Sequence, residues 1–287
     1  MTESRPPFCG VPPRACVVNS LPKSGTTLLK KVVGLLPGMT PTKRHLSSGF
    51  AATEAPPRRS LNHDMANRGA IALGIGRIRI VPWEVVGAWL ERLPNHAVFS
   101  AHVPYSPELL ALLAEKGIRM VSIIRDPRDV VVSHAMYMPR VEHGRLSDYY
   151  RMLSEDERIM TSLVGIWDER RGLFLRDIRQ RLQSMLLWRA VDLNYQTRFE
   201  WLVGPPGGGE AHRQLGEILA ISRHLGLRCS DKEVQRIADH AFGGTTTFRR
   251  GQIGSWREHL TNEHKTVCRQ LVGSLLVELG YESDLNW

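Results

Sequence analysis

Ala15-Cys-Val-Val-Asn-Ser-Leu-Pro-Lys-Ser-Gly-Thr-Thr-Leu28 is the stretch that decides the fold. Ala15–Ser20 is an apolar run of strand length. From Leu28 onward, Leu29, Val32, Val33, Leu35 and Leu36 give a helical apolar face until the breaker pair Pro37-Gly38. The turn between them, Pro22–Gly25, carries a lysine and a glycine, with hydroxyls at Ser24, Thr26 and Thr27. A strand-to-helix turn of this kind aims backbone N–H groups and the positive end of the helix dipole at an anion, with the lysine as a movable charge. The pattern is a phosphate cradle but not a Walker A loop, because Gly25 follows Lys23 and no earlier glycine opens the turn. The same residues also permit a plain helix N-cap by Ser24 or Thr26.

Outward from this unit the alternation continues. Pro82 opens a helix, Ala97–Ser100 reads as a strand, Pro107 opens a helix closed by Gly117, and Arg119–Ile124 is a buried strand. Ser154 with Glu157 and Ser230 with Glu233 fit capping boxes, and Leu193–Arg198 is a further strand candidate. The alternation implies one α/β domain over 15–287, a mainly parallel sheet flanked by helices, behind a proline-rich arm at 1–14. Gly204–Gly209 reads as a surface loop, and Thr40–Arg79 shows no readable periodicity.

The formal net charge of +9 points to an anionic partner without saying which. Cys9, Cys16, Cys229 and Cys268 form no CxxC pair or metal-ligand spacing, and no signal-like or membrane-spanning run is present. The expectation is a soluble, cytoplasmic protein with no bound metal.

Three further segments join the first loop in a recognisable order. Ile124-Arg-Asp-Pro-Arg-Asp-Val-Val-Val-Ser133 sets an arginine at a strand end with a serine eight positions on. Phe248-Arg-Arg-Gly-Gln-Ile-Gly-Ser-Trp-Arg257 is a late basic loop, and Val98-Phe-Ser-Ala-His-Val-Pro104 puts a histidine at the end of a short strand. With Pro22-Lys-Ser-Gly-Thr-Thr27, these resemble the motifs of the sulfotransferases that use 3'-phosphoadenosine 5'-phosphosulfate (PAPS). The resemblance implies a co-substrate grip in which Lys23, Ser24, Gly25, Thr26 and Thr27 hold the 5'-phosphosulfate. It likewise implies that Arg125, Ser133, Arg249, Arg250 and Gly251 hold the 3'-phosphate, that Lys23 stabilises the leaving oxygen, and that His102 is the general base. His134 and His143 stand in reserve.

Residue by residue, plainer roles compete. Arg125 also reads as an ion pair with Asp126 or Asp129, Arg249-Arg250 as a solvated charge run, and His102 as a hydrogen-bonded structural histidine. The sequence also departs from the family pattern. Leu28 stands where many animal relatives carry an adenine-stacking aromatic, which makes Phe242 the candidate for that role. Ser100 stands where a lysine often precedes the catalytic histidine, and Phe199-Glu-Trp-Leu202 replaces the YEDL element. Ser255 replaces an aspartate, and Lys265-Thr-Val267 lacks the rest of the KxxxTVxxxE dimer motif, leaving the oligomeric state open. The expected partner is a small-molecule acceptor carrying a hydroxyl or amine, in the style of a bacterial natural product or a lipid-like compound. The rival enzyme is a P-loop kinase or nucleotidase with Asp126 as its metal-binding acid. The rival binding module is a basic nucleic-acid protein, for which no recognised motif is present.

Overall fold

The computed structural model describes residues 12–47, 69–76, 78–244 and 250–287. The arm expected at 1–14 lies almost wholly outside them, as does Arg249. Five parallel strands, β1 (Ala15–Ser20), β2 (Thr40–Leu46), β5 (Ala97–Ala101), β6 (Ile118–Ile124) and β9 (Asn194–Arg198), form the central sheet in the order β2-β5-β1-β6-β9. Two short antiparallel hairpins stand apart from it: β3 (Ala70–Leu73) with β4 (Arg79–Pro82), and β7 (Ile166–Asp168) with β8 (Leu173–Leu175).

β1 is buried along its whole length because it lies in the middle of the sheet with helices over both faces. Its side chains alternate between two cores. Ala15 and Val17 join the layer that includes α2 (Trp83–Glu91), α3 (Pro107–Glu115), α4 (Pro127–Tyr137), α6 (Glu155–Val164), α7 (Ile178–Leu186) and α12 (Asn262–Glu278). Cys16 and Val18 face α1 (Thr26–Leu35), α9 (Ala211–His224) and α10 (Asp231–Ala241). A central parallel strand must be apolar on both sides, which explains the unbroken run read in the sequence.

The register places Ser20 beside Ile123 and Asn19 beside Ala101, so β1, β5 and β6 end together. The loop after β1 leaves to α1 on one face, and the loop after β6 leaves to α4 on the other. A crevice opens between them, where doubly wound folds hold ligands. The remaining helices are α5 (Arg145–Met152), the single-turn α8 (Phe199–Leu202) and α11 (Trp256–His259). Both expected capping boxes are formed, at the starts of α6 and α10.

The Gly204–Gly209 segment is more than a surface loop. Gly207 is buried, its carbonyl accepts from Ile253 N–H at 3.1 Å, and a Cβ there would lie 2.6 Å from the Gly251 carbonyl oxygen. The late basic loop rests on this turn.

Candidate active site

The turn before α1 has an unusual backbone. Lys23 has φ 75° and Gly25, at the N-cap, has φ 104°, so two left-handed residues flank Ser24 and turn the chain sharply into the helix. Neither Ser24 nor Thr26 caps the helix through its side chain. Thr26 Oγ1 instead lies 2.6 Å from Ser20 Oγ, closing the turn across its own mouth. A side chain at position 25 would put its Cβ 2.9 Å from the Phe199 ring. Both the left-handed φ and this close approach therefore require glycine.

The crevice is a cavity of about 330 Å³ lined by Lys23, Gly25, Thr26 and Thr27 from this turn, Arg125 and Ser133 from the β6–α4 unit, and His102 after β5. Phe242 at the end of α10 and Arg250 and Gly251 from the late loop complete it. Segments more than two hundred residues apart in sequence thus meet around one volume. Ser24 is buried inside the turn and does not line the cavity.

Lys23 Nζ stands 3.5 Å over the centre of the Tyr137 ring, a cation–π contact that holds the ammonium at the cavity wall. Arg125 is buried and lies 4.2 Å over the Phe199 ring. It donates to the Gln252 carbonyl at 2.7 Å and to that of Lys23 at 3.5 Å. Asp129 lies 3.5 Å from the Arg125 guanidinium, so the ion pair read in the sequence exists at that acid. Arg125 Nε is buried without a hydrogen-bond partner among the described residues. Arg250 reaches Glu258 at 3.1 Å on the surface side of the loop.

Asp126 belongs to Arg128 rather than to a metal. It caps α4 through the Arg128 N–H at 2.9 Å, and its other oxygen takes the Arg128 guanidinium at 2.8 Å. Among the described residues no cluster of His, Cys, Asp and Glu is placed to hold a metal ion.

Three strands position His102. Its backbone N–H donates to the Leu46 carbonyl at 3.1 Å, Asn19 clamps the neighbouring Val103 through both its amide atoms, and His102 Nδ1 lies 2.8 Å from the Ser20 carbonyl oxygen. A carbonyl only accepts, so Nδ1 carries the proton and Nε2 keeps a lone pair. Burial above all, with His45 and Lys23 nearby, lowers the His102 pKa from 6.5 to about 4. The ring is therefore a neutral base throughout the physiological range. Of the reserves, His134 is buried against Ser162 Oγ at 2.9 Å and His143 is exposed, and neither lines the cavity.

The model of the sulfotransferase domain family matches residues 13–165, from the start of β1 to the end of α6. The chain belongs to the sulfotransferase family. No curated protein sequence matches this sulfotransferase. Among solved structures it resembles mouse sulfotransferase SULT7A1 complexed with PAP, at 16% identity over 95% of this chain and 86% of that one, with a TM-score of 0.58. It also resembles retinol dehydratase in complex with androsterone and inactive cofactor PAP, at 16% identity over 93% of this chain and 81% of that one, with a TM-score of 0.56. These likenesses carry the fold. No helix among the described residues is long and apolar enough to cross a membrane.

The sequence reading did not single out Tyr137, Gln252 or His45, which line the same cavity. Tyr137 and Gln252 lie within or beside quoted motifs and were accessible to a closer reading. His45 sits in a polar edge strand that carries no periodic signal.

Proposed function

We propose that this sulfotransferase moves a sulfuryl group from PAPS to a hydroxyl or amine of a small-molecule acceptor. The observation that carries the reading is one crevice that brings two separate anion grips and a neutral imidazole together. PAPS needs both grips, because it carries a 5'-phosphosulfate and a 3'-phosphate. In this reading Lys23 and the backbone of Gly25–Thr27 take the first, with Ser24 supporting the turn from beneath. Arg125, Ser133, Arg250 and Gly251 take the second, together with Arg249. The buried, unpartnered Nε of Arg125 fits such a ligand. Phe242 and Leu28, both on the cavity wall, offer apolar contact to the adenine. The structures named above hold PAP, which supports the same co-substrate here.

Bound PAPS supplies the sulfuryl group and a phosphate that can leave. The acceptor's hydroxyl gives its proton to His102 Nε2 as its oxygen bonds to sulfur, and the bridging S–O bond breaks with its electron pair going to the departing phosphate. Lys23 faces the charge that grows on that oxygen, so it stabilises the transition state more than the ground state. A transferring sulfuryl group bears less charge than a γ-phosphoryl group, and these cations can serve where a kinase uses Mg²⁺.

A lipid-like acceptor or natural product is the favoured class. Retinol dehydratase holds androsterone in its solved complex. Here the segment Pro139–Trp167, which the family resemblance places beside the acceptor, exposes Met152, Val164 and Trp167. The deciding experiment is calorimetric titration with PAPS and with adenosine 5'-phosphosulfate, which lacks the 3'-phosphate. Arg250→Ala should weaken PAPS by about ten- to a hundredfold and the second nucleotide far less. Equal losses would remove Arg250 from the 3' grip, and binding of ATP in preference to PAPS would overturn the reading.

A further inference from the structure

β2 is an edge strand, and its last residues lie across the end of β5. His45 pairs with Ser100 in the register, and its Nδ1 is 2.9 Å from Ser100 Oγ. The His45 ring stands edge-on to His102, with centroids 4.8 Å apart at 72°. From α1, Lys30 reaches the same Ser100 hydroxyl at 3.4 Å and the Arg44 carbonyl at 3.4 Å. Helix, edge strand and inner strand converge on one hydroxyl, and His45, Ser100 and His102 all line the cavity.

Packing does not call for this arrangement. Two imidazoles and an ammonium are mutually repulsive once charged, and a strand end could carry any polar residue there. The charged side chains that face the two rings, Lys30 from α1 and Lys23 from the turn before it, are both cationic. Burial and then Lys30 lower the His45 pKa, although a hydrogen bond at Ser100 works the other way. Two rings kept neutral by burial and by neighbouring cations beside one cavity form the kind of arrangement found at working sites.

We infer that His45 is a positioning residue for His102. The inference rests on His102 being the general base. The Ser20 carbonyl fixes the His102 ring at Nδ1 only, and a ring held by one hydrogen bond can still swing about it. The His45 ring, tethered through Ser100 to Lys30, closes the other side and fixes the direction in which Nε2 meets the acceptor. Kept neutral, it also lets the pair take up the single proton that the reaction delivers, because that proton meets no charged ring.

The test combines turnover, co-substrate binding and pH dependence. His45→Ala should lower kcat by about ten- to a hundredfold, the scale of a misplaced catalytic group, while calorimetric affinity for PAP stays unchanged. His45→Phe, which restores a ring without the tether, should recover part of that loss. Lys30→Met removes a cation, so it should move the acidic limb of kcat/KM to higher pH, and in a His45→Ala background it should move it less. Wild-type turnover and an unmoved limb in His45→Ala, with His102→Ala inactive, would overturn the positioning role and leave His102 as the base. Loss of PAP binding in His45→Ala would make His45 a residue of the nucleotide site and also overturn it. Full turnover in His102→Ala would show that the reading of the base itself had failed.

Discussion

Asp129 Oδ2 accepts the backbone N–H of Gly254 at 2.8 Å, while its Oδ1 accepts the Trp256 N–H at 2.9 Å and the Ser255 hydroxyl at 3.1 Å. One fully buried carboxylate thus ties α4 to the late basic loop and faces Arg125 as well. The 3'-phosphate grip that we propose exists only while this tie holds, since Arg250 and Gly251 have no regular element of their own. Asp129→Ala would strand a buried arginine and several buried donors, at a cost of about 3–5 kcal/mol. Thermal unfolding should show a large loss of stability. Asp129→Asn, which keeps one acceptor, should remain folded but bind PAPS at least about tenfold more weakly. Unchanged affinity in a folded Asp129→Asn protein would separate the loop from the co-substrate.

Glu200 carries a pH dependence of stability. Its Oε1 accepts the Asp126 N–H at 2.9 Å and its Oε2 the Tyr281 hydroxyl at 3.3 Å, but burial dominates and raises its pKa from 4.5 to about 7. A carboxyl whose pKa is raised by folding binds its proton more tightly in the native state. The native state is therefore stabilised below pH 4.5, and that advantage is lost as pH rises towards 7. Glu200→Gln should abolish this slope. Its unfolding free energy from denaturant titration should match that of wild type near pH 4 and exceed it at pH 8 by an amount on the order of 3 kcal/mol. Parallel curves for the two proteins would show that Glu200 ionises freely.

What was legible in the sequence follows from what each residue depends on. β1 begins and ends where the apolar run does, because a strand buried on both faces leaves its mark on every residue. Lys23, Arg125 and His102 could be located because each lies at the end of such a strand. Asp129 was visible only as a partner for Arg125, since its larger role depends on a loop 125 residues away. Lys30 and His45 were hidden for another reason. They meet only because β2 skips past β5 to the sheet edge, and strand order is not written in local periodicity. The cap at Gly25 departs from the Ser24 or Thr26 alternative because a left-handed turn, not a side-chain hydroxyl, starts α1.

In the reading proposed above, Phe242 and Leu28 would share a role that the resemblance gives to one aromatic residue. Both line the cavity, but only Phe242 has a ring to stack on adenine. Base–aromatic stacking contributes about 1–3 kcal/mol, so Phe242→Ala should weaken PAPS and PAP alike by roughly ten- to a hundredfold. Turnover at saturating PAPS should be nearly unchanged, because the contact is the same in ground and transition states. A Phe242→Ala protein with wild-type affinity would return Phe242 to the apolar layer of α1, α9 and α10, against which it also packs.

With His102 as the proposed general base, the pH dependence of turnover follows from its burial. An ordinary imidazole would impose a limb near pH 6.5, but burial brings this one to about 4. Because the charged form is the disfavoured one, the base is available above that pH and is lost only as pH falls through it. Wild-type kcat/KM should therefore be flat through neutral and mildly acidic pH and fall only in strong acid. General base catalysis contributes about 10²–10⁴-fold, so His102→Ala should lose turnover on that scale while its PAP affinity, measured by calorimetry, stays close to wild type. A phenolic acceptor should recover part of the loss at high pH, since a phenol with a pKa near 10 ionises without help, whereas an aliphatic alcohol should not. The lowered pKa also acts on stability with the sign opposite to that of Glu200. The unfolded chain binds the His102 proton more readily, so stability from this group is present above pH 6.5 and lost as pH falls towards 4. A limb that persists unchanged in His102→Ala would assign the titration to another group and remove His102 from the proton transfer.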